Sequence, residues 1–372
     1  MPSRIPFFSP AGQRPAPCRR ALPLVAVFAL LSGCPLTEAP ETGNETVSLV
    51  ISAGESGVEP VSRRNGAGPK RLTFMTWNAQ CFFDAEETGA EFKEFRGAKS
   101  EWSAERYEAR LDRLGEVLLL AGTALGAGPE RAPDIAILEE IESVRVIEDL
   151  CNRLPSRARY PFAAFVPPPP GSAFATAILS RYPVRSVTAH AIARESATPG
   201  ETILRPLVEV TVDAEGLPVT VFGAHWKSKS DTADTDAVRD AQERALAARI
   251  GLLRSRDPGA FFVAAGDFNQ ILGEFEILAS VTESPWPDWL ARHSSGDANG
   301  PEGSYWFDGR WEAIDHVFHS RESDTAYRPS SFRPLSSPPV ADAEGHPARY
   351  EVFSGYGYSD HLPLIIAFDK MN

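Results

Sequence analysis

The chain has 372 residues, 43% of them hydrophobic and 23% charged, which is enough apolar material for one large domain or two ordinary ones. Its formal net charge of −13 argues against a protein that coats nucleic acid by neutralising phosphates in bulk. The charge does not exclude a nuclease, because a divalent ion changes the local field in an acidic cleft.

The first 33 residues have the pattern of a secretory signal. Four arginines precede the apolar run ALPLVAVFALLSG, which is too short to span a bilayer as a helix. The letters LSGC at 31–34 resemble a bacterial lipobox, which predicts cleavage before Cys34 and lipidation of its thiol. The alternative is a plain signal peptide that is cut elsewhere. We therefore predict an exported protein, anchored by lipid at a membrane of a bacterial cell envelope.

Residues 34–70 are rich in Pro, Glu, Thr, Gly and Ser and predict a flexible tether. Their one apolar patch, VSLVI, is either part of that tether or an edge strand of the domain. No second linker follows, so 71–372 is predicted to be a single catalytic domain, and we expect a monomer. Two further cysteines, Cys81 and Cys151, are too few for a disulfide scaffold and are not predicted to pair.

The spacing of apolar residues predicts that strands alternate with helices in the first part of this domain and that β-hairpins come after them. Helical periodicity covers 103–122, 143–154 and 235–256, and strand-like runs include RLTFMTW, DIAIL, LVEVTV, VTVFGAH and FFVAAG. Two mixed sheets packed face to face with helices outside account for this order. The predicted fold class is α+β, a four-layer αββα sandwich.

Polar residues end several of these apolar runs. They are Asn78, Glu140, His225, Asp267 with Asn269, and Asp360 with His361. A buried strand that ends in an acid, amide or imidazole presents that group at the rim of a sandwich, where a charge needs a metal or a partner. The pattern is typical of a metal-assisted hydrolase of phosphate esters.

Each motif also has a purely structural interpretation. GDFN is the most specific, because Asp267 and Asn269 share one side of an extended segment, but an Asx-turn gives the same letters. Glu139 and Glu140 fit a helix start rich in acids. Asp315 in IDHVF is half-buried and needs a partner such as an imidazole. The motif HWKSKS places Lys227 and Lys229 beside His225. These residues form a basic edge that either binds phosphate or serves only solubility.

The blocks occur in a fixed order. They read TWNAQCFFD, PDIAILEEIES, FATAILSRYP, HWKSK, GDFN, WEAIDHVF and GYSDHLPL. In this order they resemble the endonuclease/exonuclease/phosphatase superfamily, whose fold is shared by pancreatic-type deoxyribonuclease, apurinic endonucleases, sphingomyelinases and inositol polyphosphate phosphatases. The resemblance is closest to exported bacterial members, in which Asp84, Trp102 and Tyr107 match the first block and the segment after it.

The resemblance implies a role for each matching residue. Glu140 would be the principal ligand of Mg²⁺ or Mn²⁺, with Asn78 and Asp360 beside the same ion. Asp315 would fix the tautomer of His361. Either that pair or Asp267 would activate the attacking water.

The other matches concern the phosphate. Asn269 would position the water or a phosphate oxygen, and His225 and Lys227 would contact the phosphoryl oxygens. Two departures from the family pattern stand out: Gln80 replaces a metal carboxylate of some nucleases, and Glu139 replaces a frequent Gln. Arg181 and Arg205 fall in blocks where we expect packing or an ion pair.

These implications predict a metal-dependent phosphodiesterase outside the cytoplasm, with nucleic acid as the expected substrate. A phosphatase or a phospholipase C-like enzyme acting on lipid head groups is the alternative within the class. An inactive binding protein of the same fold is the alternative outside it. Specificity is expected in loops such as 84–103 and 323–350.

Overall fold

Two mixed β-sheets form the centre of the protein, as seen in a computed structural model. It describes residues 48–51, 68–97, 99–128, 130–168, 171–192, 204–229, 235–296 and 300–371. The strands are β1 (Ser48–Ile51), β2 (Arg71–Phe82), β3 (Ile135–Ile141), β4 (Phe162–Phe165), β5 (Ala175–Ser180), β6 (Val184–His190), β7 (Leu207–Ala214), β8 (Leu217–His225), β9 (Phe261–Asp267), β10 (Tyr305–Phe307), β11 (Arg310–Glu312), β12 (Asp315–His319), β13 (Tyr327–Pro334) and β14 (Leu364–Lys370). The helices are α1 (Ala104–Ala124), α2 (Val144–Arg153), α3 (Asp236–Arg256), α4 (Leu278–Val281) and α5 (Trp286–Ser294).

The first sheet has the order β1-β4-β5-β3-β2-β14-β13 and the second β12-β9-β8-β7-β6, while β10 and β11 form a separate hairpin. Parallel pairs occur where a helix connects the strands, as between β2 and β3 and between β8 and β9. Antiparallel pairs join strands linked by short turns, as between β7 and β8. These pairings make both sheets mixed.

Alternation along the strands builds three apolar layers. Met75 and Trp77 of β2 pack against α1 and α2, whereas Phe74 faces the core between the sheets. On the far side, Leu246 and Ile250 of α3 pack on the second sheet. Each fully buried side chain of this size contributes about 1.5–3 kcal/mol. The layers are helices, sheet, sheet and helix, which confirms the predicted four-layer αββα sandwich.

Some boundaries differ from the sequence predictions. Within the predicted tether, residues 48–51 form the edge strand β1, parallel to β4, which is the second interpretation of VSLVI. The predicted loop 323–350 contains β13, an edge strand interrupted by a bulge between Pro329 and Ser331. Edge strands tolerate proline because one side of the strand needs no hydrogen-bond partner.

Two sequence predictions concern the termini and the cysteines. The signal peptide and Cys34 lie outside the described residues, so their prediction stands on sequence alone. Cys81 and Cys151 are free thiols. Among the described residues, no helix combines the length and the apolar character needed to cross a membrane.

Candidate active site

The predicted site residues lie at strand ends along one rim of the sandwich. Parallel pairing sets His225 at the end of β8 beside Asp267 at the end of β9. Antiparallel pairing sets Asp315, the first residue of β12, opposite Asp267. Asn78 lies in β2 just before an irregularity in its pairing with β3, Glu140 lies near the end of β3, and Asn78 donates a hydrogen bond to Asp267 in the second sheet. The fold thus gathers residues that are up to 283 positions apart, from Asn78 to His361.

Asp315 and His361 form a buried pair. The imidazole Nδ1 lies 2.8 Å from Asp315 Oδ2, which also accepts a 2.6 Å hydrogen bond from Ser304 Oγ. Burial alone would lower the pKa of His361, but the Asp315 carboxylate, followed by Asp267 and Asp360, raises it well above the ordinary value. His361 therefore carries a proton at neutral pH.

Asn78 bridges two carboxylates of the site. Its amide nitrogen donates to Glu140 Oε1 and to Asp267 Oδ2, each at 3.1 Å. Its oxygen accepts from the backbone N–H of Gln80 at 3.0 Å. The amide oxygen of Asn78 thus faces the backbone and its nitrogen orients the two carboxylates, while its place beside a metal ion stays a prediction. Residue type alone does not tell which end of an amide faces the site.

A strained turn follows Asn78. Gln80 and Cys81 have positive φ angles of 51° and 49°, a region costly for non-glycine residues. The N–H of Cys81 donates to Glu140 Oε2 at 2.6 Å. Arg110 of α1 holds the turn, because its guanidinium donates to the carbonyls of Ala79 and Gln80 at 2.7 Å and of Cys81 at 2.9 Å. The turn thereby positions Glu140, whose own φ of 60° is also positive.

Gln80 does not point toward the carboxylates. Its amide forms two hydrogen bonds with the backbone of Tyr350, at 2.9 and 3.1 Å. The ring of Tyr350 in turn lies 4.0 Å from the Arg110 guanidinium. Gln80, predicted to leave the metal site less acidic, links the strained turn to the segment that leads to Asp360.

Asp267 and Asn269 form the Asx-turn that was the structural alternative for GDFN, and the turn lies within the site. Asp267 Oδ1 accepts from the N–H of Asn269 at 2.9 Å, and the Asn269 amide donates to the carbonyl of Trp226 at 3.2 Å. Burial raises the pKa of Asp267 to about 7, against the opposing charge of His361. This carboxyl is therefore poised to exchange a proton near neutrality.

Glu139 and Glu140 occupy different environments. Glu140 is partly exposed toward the rim. Glu139 is fully buried beneath it, where one oxygen accepts from Thr76 at 2.9 Å and the other has no partner among the described residues. Burial, followed by the charge of Asp315, raises the pKa of Glu139 well above the ordinary value. Glu139 is thus a neutral acid under the site.

His225 faces Glu140, with 3.6 Å between Nε2 and Oε1, and within the part of the chain that the structure describes its Nδ1 has no partner. Burial, then the charge of Arg205, lowers the pKa of His225 well below the ordinary value, so the imidazole is neutral. Arg205, for which packing or an ion pair is expected, has a charge that acts on Glu140 and Asp267. The sequence draws attention to Arg205 only through its position in a block that resembles the family. That its charge acts on the two carboxylates depends on tertiary structure and could not be predicted.

The two lysines of HWKSKS differ. Lys229 forms a 2.9 Å ion pair with Glu274, which removes it from the predicted basic edge. The main chain of Lys227 is held from α3, where Gln242 accepts from its N–H and Arg239 donates to its carbonyl, each at 3.0 Å.

The residues of the first block build support for the site. Asp84 accepts a 2.7 Å hydrogen bond from the Ser143 hydroxyl at the start of α2. Trp102 donates from its indole to the Asp84 carbonyl at 2.7 Å, and Tyr107 donates to Asp149 at 2.8 Å. These contacts fix the loop 84–103 onto α1 and α2.

The site therefore combines a buried Asp-His pair, a carboxyl that titrates near neutrality and a partly exposed glutamate. Ligand-type atoms of Asp267, Asp315 and His361 lie within 4.8 Å of one another. The profile of the Endonuclease/Exonuclease/phosphatase family matches residues 75–361, well over half of the chain. The chain belongs to this family.

Several solved structures are similar to this chain in fold. Truncated TDP2 from Caenorhabditis elegans is 15% identical, with a TM-score of 0.51 over 80% of this chain and 97% of that one. The human Nocturnin catalytic domain with bound sulfate anion is 16% identical, with a TM-score of 0.51 over 82% of this chain and 96% of that one. Comparison with curated proteins finds no match. As a member of the endonuclease/exonuclease/phosphatase family, the protein is a phosphoester hydrolase, and members of the family generally use divalent metals.

Proposed function

We propose that this family member is a divalent-metal-dependent phosphodiesterase that hydrolyses nucleic acid by in-line attack of water on phosphorus. The observation that carries the proposal is the convergence at one rim of the Asp315–His361 pair, Asp267 and the carboxylate of Glu140. An acid-base pair beside an open carboxylate is the arrangement that phosphoryl transfer to water requires.

The donor set fits a hard cation. Glu140 and Asp360 are partly exposed carboxylates close enough that, after burial, the charge of Glu140 contributes to raising the pKa of Asp360. Like charges held together in this way are relieved by a cation, and oxygen donors select Mg²⁺ or Mn²⁺. We assign the metal to Glu140 and Asp360, with Asn78 orienting the first of them. When bound, the ion supplies positive charge to the phosphoryl oxygens.

Protein groups then handle the protons. Asp267, with a pKa of about 7, suits the role of general base toward the attacking water, and we therefore propose it for this role in place of the Asp315–His361 pair. Protonated His361, held by Asp315, donates to the phosphoryl oxygens as their charge grows. Neutral His225 and Asn269 contact the same oxygens together with Lys227, and the charge of Arg205 acts on Glu140 and Asp267.

We further propose, from the sequence alone, that the protein is exported and attached to a membrane through lipidated Cys34, and that it acts as a monomer. Such an anchor would place the site outside the cytoplasm. A phosphatase or phospholipase C-like activity would use the same groups on another substrate.

The test uses the protein from residue 35 onward with Mg²⁺ and a panel of plasmid DNA, RNA, sphingomyelin, inositol phosphates and bis-p-nitrophenyl phosphate. We expect cleavage of nucleic acid that EDTA abolishes and that Asp267→Ala and His361→Ala each reduce at least about 100-fold. Hydrolysis of monoesters only would contradict the diesterase assignment. Unchanged rates in both variants would contradict the site itself.

A further inference from the structure

The hairpin β10–β11 lies beside the candidate active site. Its strands are joined by Asp308 and Gly309, whose φ angles of 48° and 76° are those of a two-residue turn that matches strand twist. An isolated bridge joins Tyr305 to His361, and the N–H of Leu362 donates to the carbonyl of Ser304 at 2.7 Å. The hairpin is therefore fixed to the segment that carries the His361 imidazole.

One face of the hairpin is packed. Trp306 and Trp311 form a cross-strand pair with ring centroids 5.2 Å apart. The imidazole of His346 stacks on Trp306 at 4.1 Å, with an interplanar angle of 26°. Aromatic contacts of this kind stabilise the hairpin beyond the effect of burial alone. They brace the hairpin from one side and leave the other face open.

The open face carries an aromatic strip, which we define as Tyr305 and Phe307. The Tyr305 ring lies 4.7 Å from the His361 imidazole, and Phe307 stacks 6.1 Å further out at an angle of 13°. Phe307 is 57% exposed. Arg310 is its cross-strand partner, exposed and without a hydrogen bond or ion pair among the described residues. The aromatic strip and the Arg310 guanidinium thus extend from the His361 imidazole toward solvent.

We propose that the aromatic strip binds the base of a nucleotide flanking the scissile phosphate in a single-stranded nucleic acid, with Arg310 contacting the next phosphate. This inference rests on the proposed function and names its substrate class. An exposed ring next to a cation is the combination that single-strand binders use, because bases stack on aromatic rings in any sequence. The net charge of −13 opposes the binding of long polyanions, which gives short-range stacking more weight as a source of affinity.

A membrane is the other apolar partner to consider. Insertion of the hairpin tip into lipid would remove exposed Asp308 from water, which is costly for an unpaired carboxylate. Stacking of a base on the side of the hairpin leaves Asp308 solvated. The position of the charge therefore favours the nucleic acid.

The test compares Phe307→Ala with Phe353→Ala, a matched control whose ring is also exposed (67%) but lies on another loop. Substrates are a short single-stranded oligonucleotide, as DNA and as RNA, and the same chain with abasic tetrahydrofuran residues. Stacking of one base is worth about 1–3 kcal/mol, so Phe307→Ala should lower kcat/KM on the normal oligonucleotide by about 5- to 150-fold. The abasic substrate should be unaffected, and the control should change neither.

Two further variants sharpen the test. Phe307→Trp should keep activity, which separates loss of stacking from damage to the hairpin. Arg310→Ala should make the salt dependence of KM shallower by about one unit of slope.

The outcomes distinguish the two proposals. Equal effects of Phe307→Ala on normal and abasic substrates would overturn the stacking site while leaving the diesterase intact. Loss of binding to phosphatidylcholine vesicles with unchanged oligonucleotide cleavage would show that the strip contacts membranes instead. Failure of the wild type to cleave either oligonucleotide would remove the proposed function and the inference with it.

Discussion

Proton positions within the site follow from burial and neighbouring charge. Asp315 faces the His361 imidazole at 2.8 Å, and the pair keeps a proton on the histidine. Burial raises the pKa of Asp267 to about 7, against the charge of His361 and with that of Asp315. His361 is thus ready to donate a proton and Asp267 to accept one over the same pH range, which is what acid-base catalysis needs.

We expect the pH dependence of kcat/KM to show a rising limb at or below pH 7. The base acts only after Asp267 loses its proton, and a bound cation lowers the pKa of a carboxyl further. Asp267→Asn should remove this limb and reduce kcat by about 100- to 10,000-fold. A pH-rate profile measured with saturating Mg²⁺ checks this. A limb that persists in Asp267→Asn would transfer the role of base to the Asp315–His361 pair.

At the scale of elements, α1 controls the end of β2. Arg110 is 2% exposed. Its guanidinium donates to three successive carbonyls and so holds a turn that an extended strand does not contain. In this turn the N–H of Gln80 orients Asn78 and the N–H of Cys81 orients Glu140. A helix residue therefore acts on a proposed metal ligand through the backbone of a strand.

Arg110→Lys should weaken Mg²⁺ binding by about 10- to 100-fold, the usual effect of losing a group that orients a ligand. A lysine keeps the charge but lacks the planar fork that serves three carbonyls. The measurement is the Mg²⁺ dependence of the thermal unfolding midpoint, which reports binding without catalysis. Arg113→Lys is the control, because Arg113 donates to Gly355 instead. Equal shifts in both variants would contradict a specific role for Arg110.

At the scale of the whole molecule, two packed sheets must enclose acidic groups beneath the rim. Glu139 illustrates the cost, because the fold removes it from water and no described residue pairs with one of its oxygens. Its folded-state pKa lies above the unfolded value, so the unfolded chain releases this proton first as pH rises. Stability from this group is complete below about pH 4.3, the ordinary value for glutamate, and declines above it.

Glu139→Gln should therefore raise the free energy of unfolding at pH 8 by about 1–3 kcal/mol and change it little at pH 4. The amide cannot ionise, so the penalty that grows with pH disappears. Urea denaturation at the two pH values, monitored by circular dichroism, checks the difference. A gain of equal size at both would mean that packing, and not ionisation, is responsible.

Local patterns specify much of the fold. The helices predicted at 103–122 and 235–256 are found at Ala104–Ala124 and Asp236–Arg256, because apolar spacing and a cap such as Ser103 act over one or two turns. The strand β13 was missed, since a partly exposed edge strand with two prolines lacks both the alternation and the apolar content of a buried one.

The sequence by itself determined the chemistry that is available: which acids, amides and imidazoles end the strands, and in which order. The tertiary structure alone decided how they are used. It turned the nitrogen of Asn78 toward two carboxylates, buried Glu139 while leaving Glu140 at the rim, and brought Arg205 near both acids. The physical reason is that residue type fixes what a group can donate or accept, whereas burial, orientation and charge state depend on neighbours that only folding brings together.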